Sequence, residues 1–450
     1  MKSDTIVAIS TPRGVGGIAV VRLSGNDALP IAVRHLSVTT LAPQHATYCR
    51  FYASTSPIPP RGETKEGKFL DDVVAVYYPK GYTGEQTVEI SCHGSLYVQQ
   101  ELLKAFVDEG VRLAEPGEFT QRAFLNGRLD LSQAEAVADL IDSVTPAQHR
   151  LAVSQLRGGY AQKLKDLRQQ LLDLTSLLEL ELDFSQEDVE FADRTQLRQL
   201  LSALNAQLTS LLESFRLGNA LRRGVPVAIV GKPNAGKSSL LNVLLGDDRA
   251  IVSDIPGTTR DTIEESLTIE GITFRFIDTA GLRHSDDQVE ALGVERSRKA
   301  VAQADIVLFL HDATTAWTEP EIDLTGKTVI VVHTKADLLA TPDRVGEALV
   351  STKTGYGLDV LKTEILSAFH SKMGDACSED VLLSNSRHYE ALKRVRQAID
   401  AVSQGLEDGL PADLVVVDLR DALYHLGTIT GEVTSNEILG NIFGRFCVGK

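Results

Sequence analysis

The stretch Gly231-Lys232-Pro233-Asn234-Ala235-Gly236-Lys237-Ser238 decides the fold of the middle of the chain. It has the form G-x-x-x-x-G-K-S, follows the apolar run 225–230 and precedes the leucine-rich segment 239–245. A strand, a glycine-rich turn and a helix N-terminus in this order direct backbone N–H groups at a bound anion. Lys237 is expected to neutralise the β- and γ-phosphates, and Ser238 to ligate Mg2+. The stretch therefore predicts a nucleoside-triphosphate site in preference to a chance glycine-rich turn.

The composition is that of an ordinary globular protein with several domains. The chain has 450 residues, of which 43% are hydrophobic and 24% charged, so we expect about two to four domains. A net charge of -16 disfavours a broad basic surface for nucleic acid but leaves room for a local basic patch. The sequence has neither a run of about 18 apolar residues nor the apolar core of a signal peptide. Four cysteines without C-x-x-C spacing favour a cytoplasmic protein with reduced thiols.

The N-terminal part predicts a compact α/β unit of about 120 residues with mixed strand directions. Strands are expected at 6–9, 17–23, 72–78 and 87–91, and a helix at 99–108. The run Gly14-Val15-Gly16-Gly17 superficially resembles a dinucleotide loop. Because it lacks the full G-x-G-x-x-G pattern and is followed by strand residues, we expect a hairpin turn there.

The rest of the chain predicts a helical domain interrupted by the nucleotide domain. Leucines recur at helical spacing at 171, 172, 174, 177, 178 and 182, as a core-facing stripe requires. The acidic stretch 179–193 could hold a metal, although a solvated loop between helices is favoured. Strands and helices then alternate to about residue 370, which predicts a parallel sheet covered on both faces. The predicted domains are 1–120, a helical domain formed by 121–222 and 374–450, and a nucleotide domain at 223–373.

Four further stretches follow the P-loop in the order and spacing of a regulatory GTPase. They are 257–261 (Gly-Thr-Thr-Arg-Asp), 278–281 (Asp-Thr-Ala-Gly), 334–337 (Thr-Lys-Ala-Asp) and 351–353 (Ser-Thr-Lys). In the first, Thr259 is the expected Mg2+-ligating hydroxyl. In the second, Asp278 would hold Mg2+ through water and the Gly281 N–H would sense the γ-phosphate.

The last two stretches favour guanine over adenine. Asp337 can accept hydrogen bonds from N1–H and the exocyclic amine of guanine, which adenine cannot match. Residues 351–353 would brace the edge of the base. Most GTPases have Asn where this chain has Thr334. A hydroxyl therefore replaces the side-chain amide that helps to hold the base site, while Asp337 is kept.

The residue after the second stretch is Leu282, where many GTPases carry a water-orienting Gln. A leucine cannot position water, so hydrolysis needs another residue or a helper. Arg283 and Glu290 are the polar candidates in the segment that follows, and for each of them a solvated surface charge is the alternative.

Flanking stretches resemble the MnmE (TrmE) family of tRNA-modification GTPases. They are 4–8 (Asp-Thr-Ile-Val-Ala), 83–85 with Glu89 and His93-Gly94, 116–127, 130–136 and the terminal Phe446-Cys447-Val448-Gly449-Lys450. The resemblance runs from residue 4 to the last residue and includes the inserted GTPase domain.

The resemblance implies a three-part multidomain fold. An N-terminal α/β domain similar to the folate-binding fold of the glycine-cleavage aminomethyltransferase would hold a homodimer together. A discontinuous all-α domain and an inserted α/β P-loop GTPase domain would follow. The partner would be the flavoprotein MnmG, which carries FAD and uses NADH. Together they would add an aminomethyl or carboxymethylaminomethyl group to C5 of the wobble uridine, position 34, of certain tRNAs, with a one-carbon unit from a 5-formyl- or methylene-tetrahydrofolate.

The resemblance also assigns site residues. Folate contacts carry over to Arg22, Glu89, Arg128 and Lys450; position 128 is often Lys in the family, and Arg keeps the charge but changes its geometry. Without the resemblance, Arg22 and Arg128 would be interpreted as surface cations, and Lys450 as part of a frayed tail. Cys447 takes the place of the family's terminal cysteine as a candidate catalytic nucleophile, with an inert thiol as the alternative.

The family resemblance further implies a K+ ion in place of an arginine finger. Its ligands would be Asn234, Ser253, Ile255 and Thr258. Glu290 would orient the attacking water once two GTPase domains meet, and Arg283 would then have no chemical role. The expected GTP-binding residues are Asn234, Ala235, Gly236, Lys237, Ser238, Ser239, Ser253, Asp254, Ile255, Pro256, Gly257, Thr258, Thr259, Asp278, Thr279, Ala280, Gly281, Thr334, Lys335, Asp337, Ser351, Thr352 and Lys353.

Two other functions use the same nucleotide domain. A GTPase switch in ribosome assembly would carry an RNA-binding module such as a KH domain with a basic face, which the sequence does not indicate. A folate enzyme with a merely regulatory GTPase part would bind formyl-tetrahydrofolate without modifying tRNA.

Overall fold

The computed structural model describes residues 4–53, 68–183, 194–246, 265–277, 290–320, 322–339, 348–373, 382–444 and 446–449. The chain forms two compact units. The first contains Met1–Ala138 and Gly427–Lys450, and the second contains Asp139–Leu426.

The first unit is built on a mostly antiparallel six-stranded sheet. Its strands are β1 (Ile6–Ile9), β2 (Ile18–Ser24), β3 (Thr47–Tyr52), β4 (Phe69–Tyr78), β5 (Thr87–His93) and β6 (Arg112–Leu113). They lie in the order β3-β4-β5-β2-β1-β6, and only β1 and β6 pair in parallel. β1 and β2 pair antiparallel, which confirms the hairpin expected around Gly14.

Two helices, α1 (Ala28–His35) and α2 (Leu96–Asp108), pack in the core on one face of this sheet. The next helix, α3 (Glu118–Leu125), packs through Phe119 on Ile6 and Ala8, on the other face of β1, and α4 (Leu131–Asp142) follows it. Alternate strand residues such as Val21, Val88 and Ile90 pack with Phe106 of α2 in one core, as the two-residue period of a half-buried strand requires.

The helical part of the second unit is a set of long helices. They are α5 (Pro146–Leu156), α6 (Gly159–Asp183), α7 (Arg194–Arg223), α11 (Ser386–Glu407) and α12 (Ala412–Thr430), the last of which ends in the first unit. Leu171, Leu174 and Leu178 are buried, so the predicted leucine stripe faces a core.

The nucleotide part of the second unit is a doubly covered sheet. Its strands are β7 (Val225–Gly231), β8 (Glu265–Ile269), β9 (Ile272–Phe276), β10 (Ile306–Asp312), β11 (Thr328–Thr334) and β12 (Ala348–Leu349). The order is β12-β11-β10-β7-β9-β8, parallel except for the β8–β9 hairpin at one edge. Its helices are α8 (Lys237–Gly246), α9 (Glu290–Gln303) and α10 (Leu358–Met373).

Buried apolar residues lie on both faces of β7. Val227 and Ile229 belong to one core, and Ala228 and Val230 to the other. A strand covered on both sides reads as a continuous apolar run, which is why the sequence signal was clear. The last helix, α13 (Asn436–Phe443), returns to the first unit, where Phe443 packs with Leu131.

Candidate functional site

The P-loop lies between β7 and α8, at the carboxyl edge of the parallel sheet. Gly231 passes so close to β10 that a Cβ there would lie 2.4 Å from the Leu310 carbonyl oxygen. Asn234 and Gly236 have positive φ angles of 62° and 88°. These two features turn the chain sharply into α8, and the N-terminus of a helix is a favourable place for an anion. The strand, loop and helix predicted from the sequence are thus confirmed.

The Lys237 side chain folds back over the loop that it ends. Its Nζ donates to the carbonyl oxygens of Gly231, at 2.8 Å, and Lys232, at 2.9 Å. Burial lowers the pKa of the Lys237 ammonium below its ordinary value. An ammonium held inside the loop is placed where the charge of the β- and γ-phosphates would be met.

Thr334 ends β11 and connects two parts of the nucleotide site. Its hydroxyl donates to the carbonyl oxygen of Ala235 in the P-loop, at 2.8 Å, and lies 3.3 Å from the His311 carbonyl oxygen. The residue is only 2% exposed. In this chain the hydroxyl therefore ties the carboxyl end of β11 to the P-loop.

The next residue, Lys335, adopts a left-handed conformation and pairs with the end of β10. Its Nζ lies 2.6 Å from Asp312 Oδ2. Burial alone would raise the pKa of Asp312, but hydrogen bonds from Lys335 and Thr314 lower it to about 2. The carboxylate is therefore ionised at neutral pH and holds the lysine against the sheet edge.

Asp337, the expected guanine-binding carboxylate, is exposed. Ser351, fully buried after β12, donates from its hydroxyl to Asp337 Oδ1 at 2.7 Å. This hydrogen bond joins the 334–337 motif to the 351–353 motif through two residues that are 14 positions apart in the sequence. Thr352 is half-buried and Lys353 is exposed beside them.

The remaining nucleotide-site predictions fall on parts of the chain that the structure does not describe. Residues 253–259 and 278–283 lie outside the described residues. Glu290 is the first residue of α9, but its side chain is not among those described. The acidic stretch that ends at 193 is likewise mostly outside them. The described residues contain no cluster of three or more His, Cys, Asp or Glu side chains that could hold a metal ion.

In the first unit, Arg22 and Glu89 are directly opposite each other on β2 and β5. Arg22 Nε lies 2.8 Å from Glu89 Oε1, and the side chains keep 20% and 27% of their exposure. The guanidinium carbon lies 5.7 Å from the Tyr82 ring centroid and 5.6 Å from that of Phe119. Arg22 is thus an oriented, paired cation with an aromatic surround, and both partners remain accessible.

Arg128, the third expected folate contact, is exposed. Its side chain runs along Gly84, where an added Cβ would lie 3.2 Å from the Arg128 Cγ. Gly84 has a positive φ of 84°, which suits glycine.

The C-terminal tail is bound within the first unit. Val448 forms an antiparallel bridge with Pro116, and the Gly117 N–H donates to the Cys447 carbonyl oxygen at 3.4 Å. Gly449 has a φ of 100°, and a Cβ there would lie 2.1 Å from the Ile9 carbonyl oxygen. The tail is therefore anchored up to residue 449 with the Cys447 side chain exposed. Lys450 and Arg445 lie outside the described residues.

A buried charge network in the same unit was not found from the sequence. Arg122, whose side chain is 8% exposed, lies 2.9 Å from Asp4 Oδ1, 3.2 Å from Glu85 Oε2 and 2.9 Å from Glu118 Oε1. Arg112 pairs with Asp4 at 2.7 Å and also with Glu118. These residues come from four separate segments, and the only sequence signal was that several lie in the stretches resembling the MnmE family.

Replacing Arg122 by Leu is expected to destabilise the protein by roughly 3–5 kcal/mol, because three carboxylates lose a shared buried partner. Burial raises the pKa of Glu118, but hydrogen bonds from Arg112, Arg122 and the backbone lower it overall. The ionised Glu118 carboxylate therefore stabilises the folded protein fully at pH values above its unfolded-state pKa of about 4.3. This stabilisation is lost as the pH falls through the lower pKa of the folded state. Urea unfolding at pH 7 and pH 3.5 measures both effects. An Arg122→Leu protein as stable as the parent at pH 7 would contradict the network's role.

Two protein-family profiles together match nearly the whole chain. The profile of the MnmE helical domain matches residues 131–447, and that of the GTP-binding protein TrmE N-terminus matches residues 5–128. A protein of Cytophaga hutchinsonii named tRNA modification GTPase MnmE is 45% identical over 100% of this chain and 98% of its own. Proteins of the same name from Parabacteroides distasonis and Porphyromonas gingivalis are 46% and 45% identical over 99% of this chain, and over 100% and 98% of their own.

Among solved structures, the G domain of the T. maritima FeoB iron transporter is 29% identical over 32% of this chain and 99% of its own, with a TM-score of 0.24. A likeness of that degree adds nothing to the assignment.

The P-loop, the Thr334-to-Asp337 motif and the sheet that carries them define a GTP-binding P-loop protein. The full-length matches go further: the chain belongs to the MnmE (TrmE) family of tRNA-modification GTPases. None of the helices in the described part of the chain combines the length and apolar composition that a membrane span requires.

Proposed function

We propose that this chain is a K+-stimulated GTPase that works with an MnmG-type flavoprotein to modify C5 of the wobble uridine of certain tRNAs. The product would carry an aminomethyl or carboxymethylaminomethyl group at position 34. One observation carries the proposal. A GTP site and a separate unit that presents a paired arginine and an anchored C-terminal thiol occur in one chain that matches the family over its full length.

In the GTPase part, this chain's residues would divide the work of binding. Asp337, oriented by Ser351, reads guanine, and Lys237 meets the phosphates. Ser238 and Thr259 would ligate Mg2+, and Asn234, Ser253, Ile255 and Thr258 would hold K+. The hydroxyl, amide and carbonyl oxygens of these residues are the ligands that such hard cations prefer.

The P-loop fits an ion–phosphate pair because its glycines let the backbone approach closely, and Asn234 sits at the left-handed turn of the loop. When bound, the cations supply positive charge as the γ-phosphate bond breaks. Glu290, at the start of α9, would orient the attacking water.

The first unit would bind a tetrahydrofolate derivative through Arg22, Glu89, Arg128 and Lys450. Glu89 can accept hydrogen bonds from ring N–H groups, while the cations suit the carboxylates of a folate tail. The partly exposed Arg22–Glu89 pair supports this placement, since it is ordered yet open to a ligand. We further propose a folate-binding-like fold for residues 1–120, a homodimer held by this domain, the sequence-predicted boundaries for the other domains, and a cytoplasmic location.

Reconstitution tests the function. The purified chain, an MnmG-type partner with FAD and NADH, GTP, Mg2+, K+, a methylene-tetrahydrofolate, ammonium or glycine as the nitrogen source and an unmodified tRNA transcript are combined, and nucleosides are analysed by mass spectrometry. We expect a modified uridine only in the complete mixture. GTP hydrolysis with no modified uridine under any of these conditions would overturn the proposal.

Replacing Cys447 by Ser is expected to impair tRNA modification while leaving GTP hydrolysis nearly unchanged. The thiol is exposed and is held beside β1 of the first unit, whereas the GTP site belongs to the second unit. Ser conserves size but is a far weaker nucleophile at neutral pH. Cys49→Ser, at a buried thiol on β3 that three strands separate from β1, provides a second Cys→Ser change in the same unit, with thermal melting to check that the variant is folded. If Cys447→Ser modifies tRNA at the parent rate, the thiol is inert.

A further inference from the structure

The N-terminal half of α11 carries a local excess of positive charge. Residues 386–397 contain Arg387, Lys393, Arg394 and Arg396 against the single carboxylate Glu390, in a chain of net charge -16. The opposite side of the helix is apolar, with Leu392 and other residues buried. The cations therefore lie on the outward side of a well-anchored helix.

A cleft of about 440 Å³ opens between α7 and this part of α11. Its polar lining consists of Glu213, Tyr389, Lys393, Arg396, Gln397 and Asp400. The volume lies within the usual range of about 300–1,000 Å³ for small-molecule sites and is ample for one nucleotide.

The lining groups are held in place by neighbours on α7. Tyr389 stacks on Phe215, with ring centroids 4.2 Å apart and an interplanar angle of 21°. Asn205 Nδ2 donates to Asp400 Oδ1 at 2.8 Å, which fixes that carboxylate. An oriented aromatic ring and an oriented acceptor lose little freedom when a ligand arrives.

The combination matches the chemistry of an unpaired nucleotide. Arg396 Nε lies 3.9 Å from Asp400 Oδ2, and Lys393 is exposed beside it. Each of these two cations can meet one of the phosphates that flank an unpaired nucleotide, since cations dominate the affinity for nucleic acids. Tyr389 offers an aromatic surface for a base. Asp400, Glu213 and Gln397 can accept hydrogen bonds from exocyclic amines or ring N–H groups on the base edge.

We propose that this cleft binds an unpaired nucleotide of the tRNA substrate, as an RNA contact on the helical part of the chain. The inference rests on the proposed action on tRNA. A purely acidic protein segment is a poorer occupant, because it brings neither a ring that can stack on Tyr389 nor the base-edge N–H donors that Glu213 and Asp400 can accept. The site is separate in sequence from both the P-loop and the proposed folate residues.

The test measures binding of the full-length protein to a labelled, unmodified tRNA transcript by fluorescence anisotropy at several salt concentrations. Lys393→Gln with Arg396→Gln is expected to weaken binding about tenfold near 0.1 M salt and to reduce the slope of log K against log salt by about 1.4. Tyr389→Leu is expected to weaken binding about tenfold with little change in slope.

Lys163→Gln with Lys165→Gln removes the same charge from exposed positions of α6 and serves as the matched control. Thermal melting by circular dichroism checks that each variant is folded. Parent-like affinity in both cleft variants overturns the inference, as does an equal loss in the α6 control or a transcript that fails to bind the parent. Unchanged RNA affinity with loss of binding to the flavoprotein would make the cleft a protein-docking site instead. Cleft-dependent RNA binding without wobble modification would leave the inference standing and defeat the proposed function.

Discussion

Replacing Glu290 by Ala is expected to slow GTP hydrolysis by about 10²–10³-fold while GTP affinity stays at the parent value. Leu282 occupies the position from which many GTPases position water, and an apolar side chain cannot do this. Glu290 is the carboxylate that begins α9, a short distance further along the chain. A residue that acts on the attacking water contributes in the transition state and not in the bound ground state, so kcat should fall alone.

The matched control lies on the same helix. Glu295 is exposed and pairs with Lys299 at 2.9 Å, a surface contact of little energetic weight. Glu295→Ala should hydrolyse GTP at the parent rate. A Glu290→Ala enzyme that retains most of its turnover would transfer the role to another residue, with Arg283 as the first candidate.

The same mechanism requires a K+ ion at the position where other GTPases place the positive charge of an arginine finger. Turnover is expected to be much faster in KCl than in NaCl at equal ionic strength, since Na+ is too small to span the same ligands. Asn234→Ala should remove this difference specifically. Equal rates of the parent enzyme in both salts would exclude the K+ site.

Replacing Asp337 by Asn is expected to abolish the preference for GTP, with a loss of roughly 10²–10⁴ in GTP affinity, because two charge-assisted hydrogen bonds are removed. The carboxylate is exposed and is oriented by the buried Ser351 hydroxyl at 2.7 Å. An amide in its place offers a donor where guanine also offers donors, so the mismatch is repulsive as well as incomplete.

Competition binding with a fluorescent nucleotide measures the change, and xanthosine triphosphate provides the internal control. Xanthine has a carbonyl oxygen where guanine has the exocyclic amine, so the side-chain amide of the Asp337→Asn variant can donate to it. The variant should therefore prefer xanthosine triphosphate over GTP. If it binds GTP as tightly as the parent does, base recognition has been assigned to the wrong residue.

The local elements of the GTP site were predictable because their signals are local. The P-loop needs glycines at fixed offsets between a buried strand and a helix, and the structure has that order around Gly231 and Gly236. The apolar run of β7 and the leucine stripe of α6 were equally clear, since burial on both faces or on one helix face leaves a period in the sequence.

The contacts between distant segments were not predictable in the same way. Thr334 and Ala235 are 99 residues apart and meet only because β11 and the P-loop share one edge of the sheet. Ser10 and Gly449 are 439 residues apart, and nothing in the composition of the tail indicates that it lies beside β1. The Arg122 network likewise depends on four segments whose charges look solvated when each is considered alone.

Nucleosides of tRNA from cells lacking the protein test most directly whether this chain acts in wobble-uridine modification. Total tRNA from parent and deletion cells would be digested and compared by mass spectrometry, with a plasmid copy of the gene as the rescue. We expect C5-modified wobble uridines to disappear in the deletion strain and to return with the parent gene but not with the Glu290→Ala gene. Unchanged wobble uridines in the deletion strain would contradict a role in this modification.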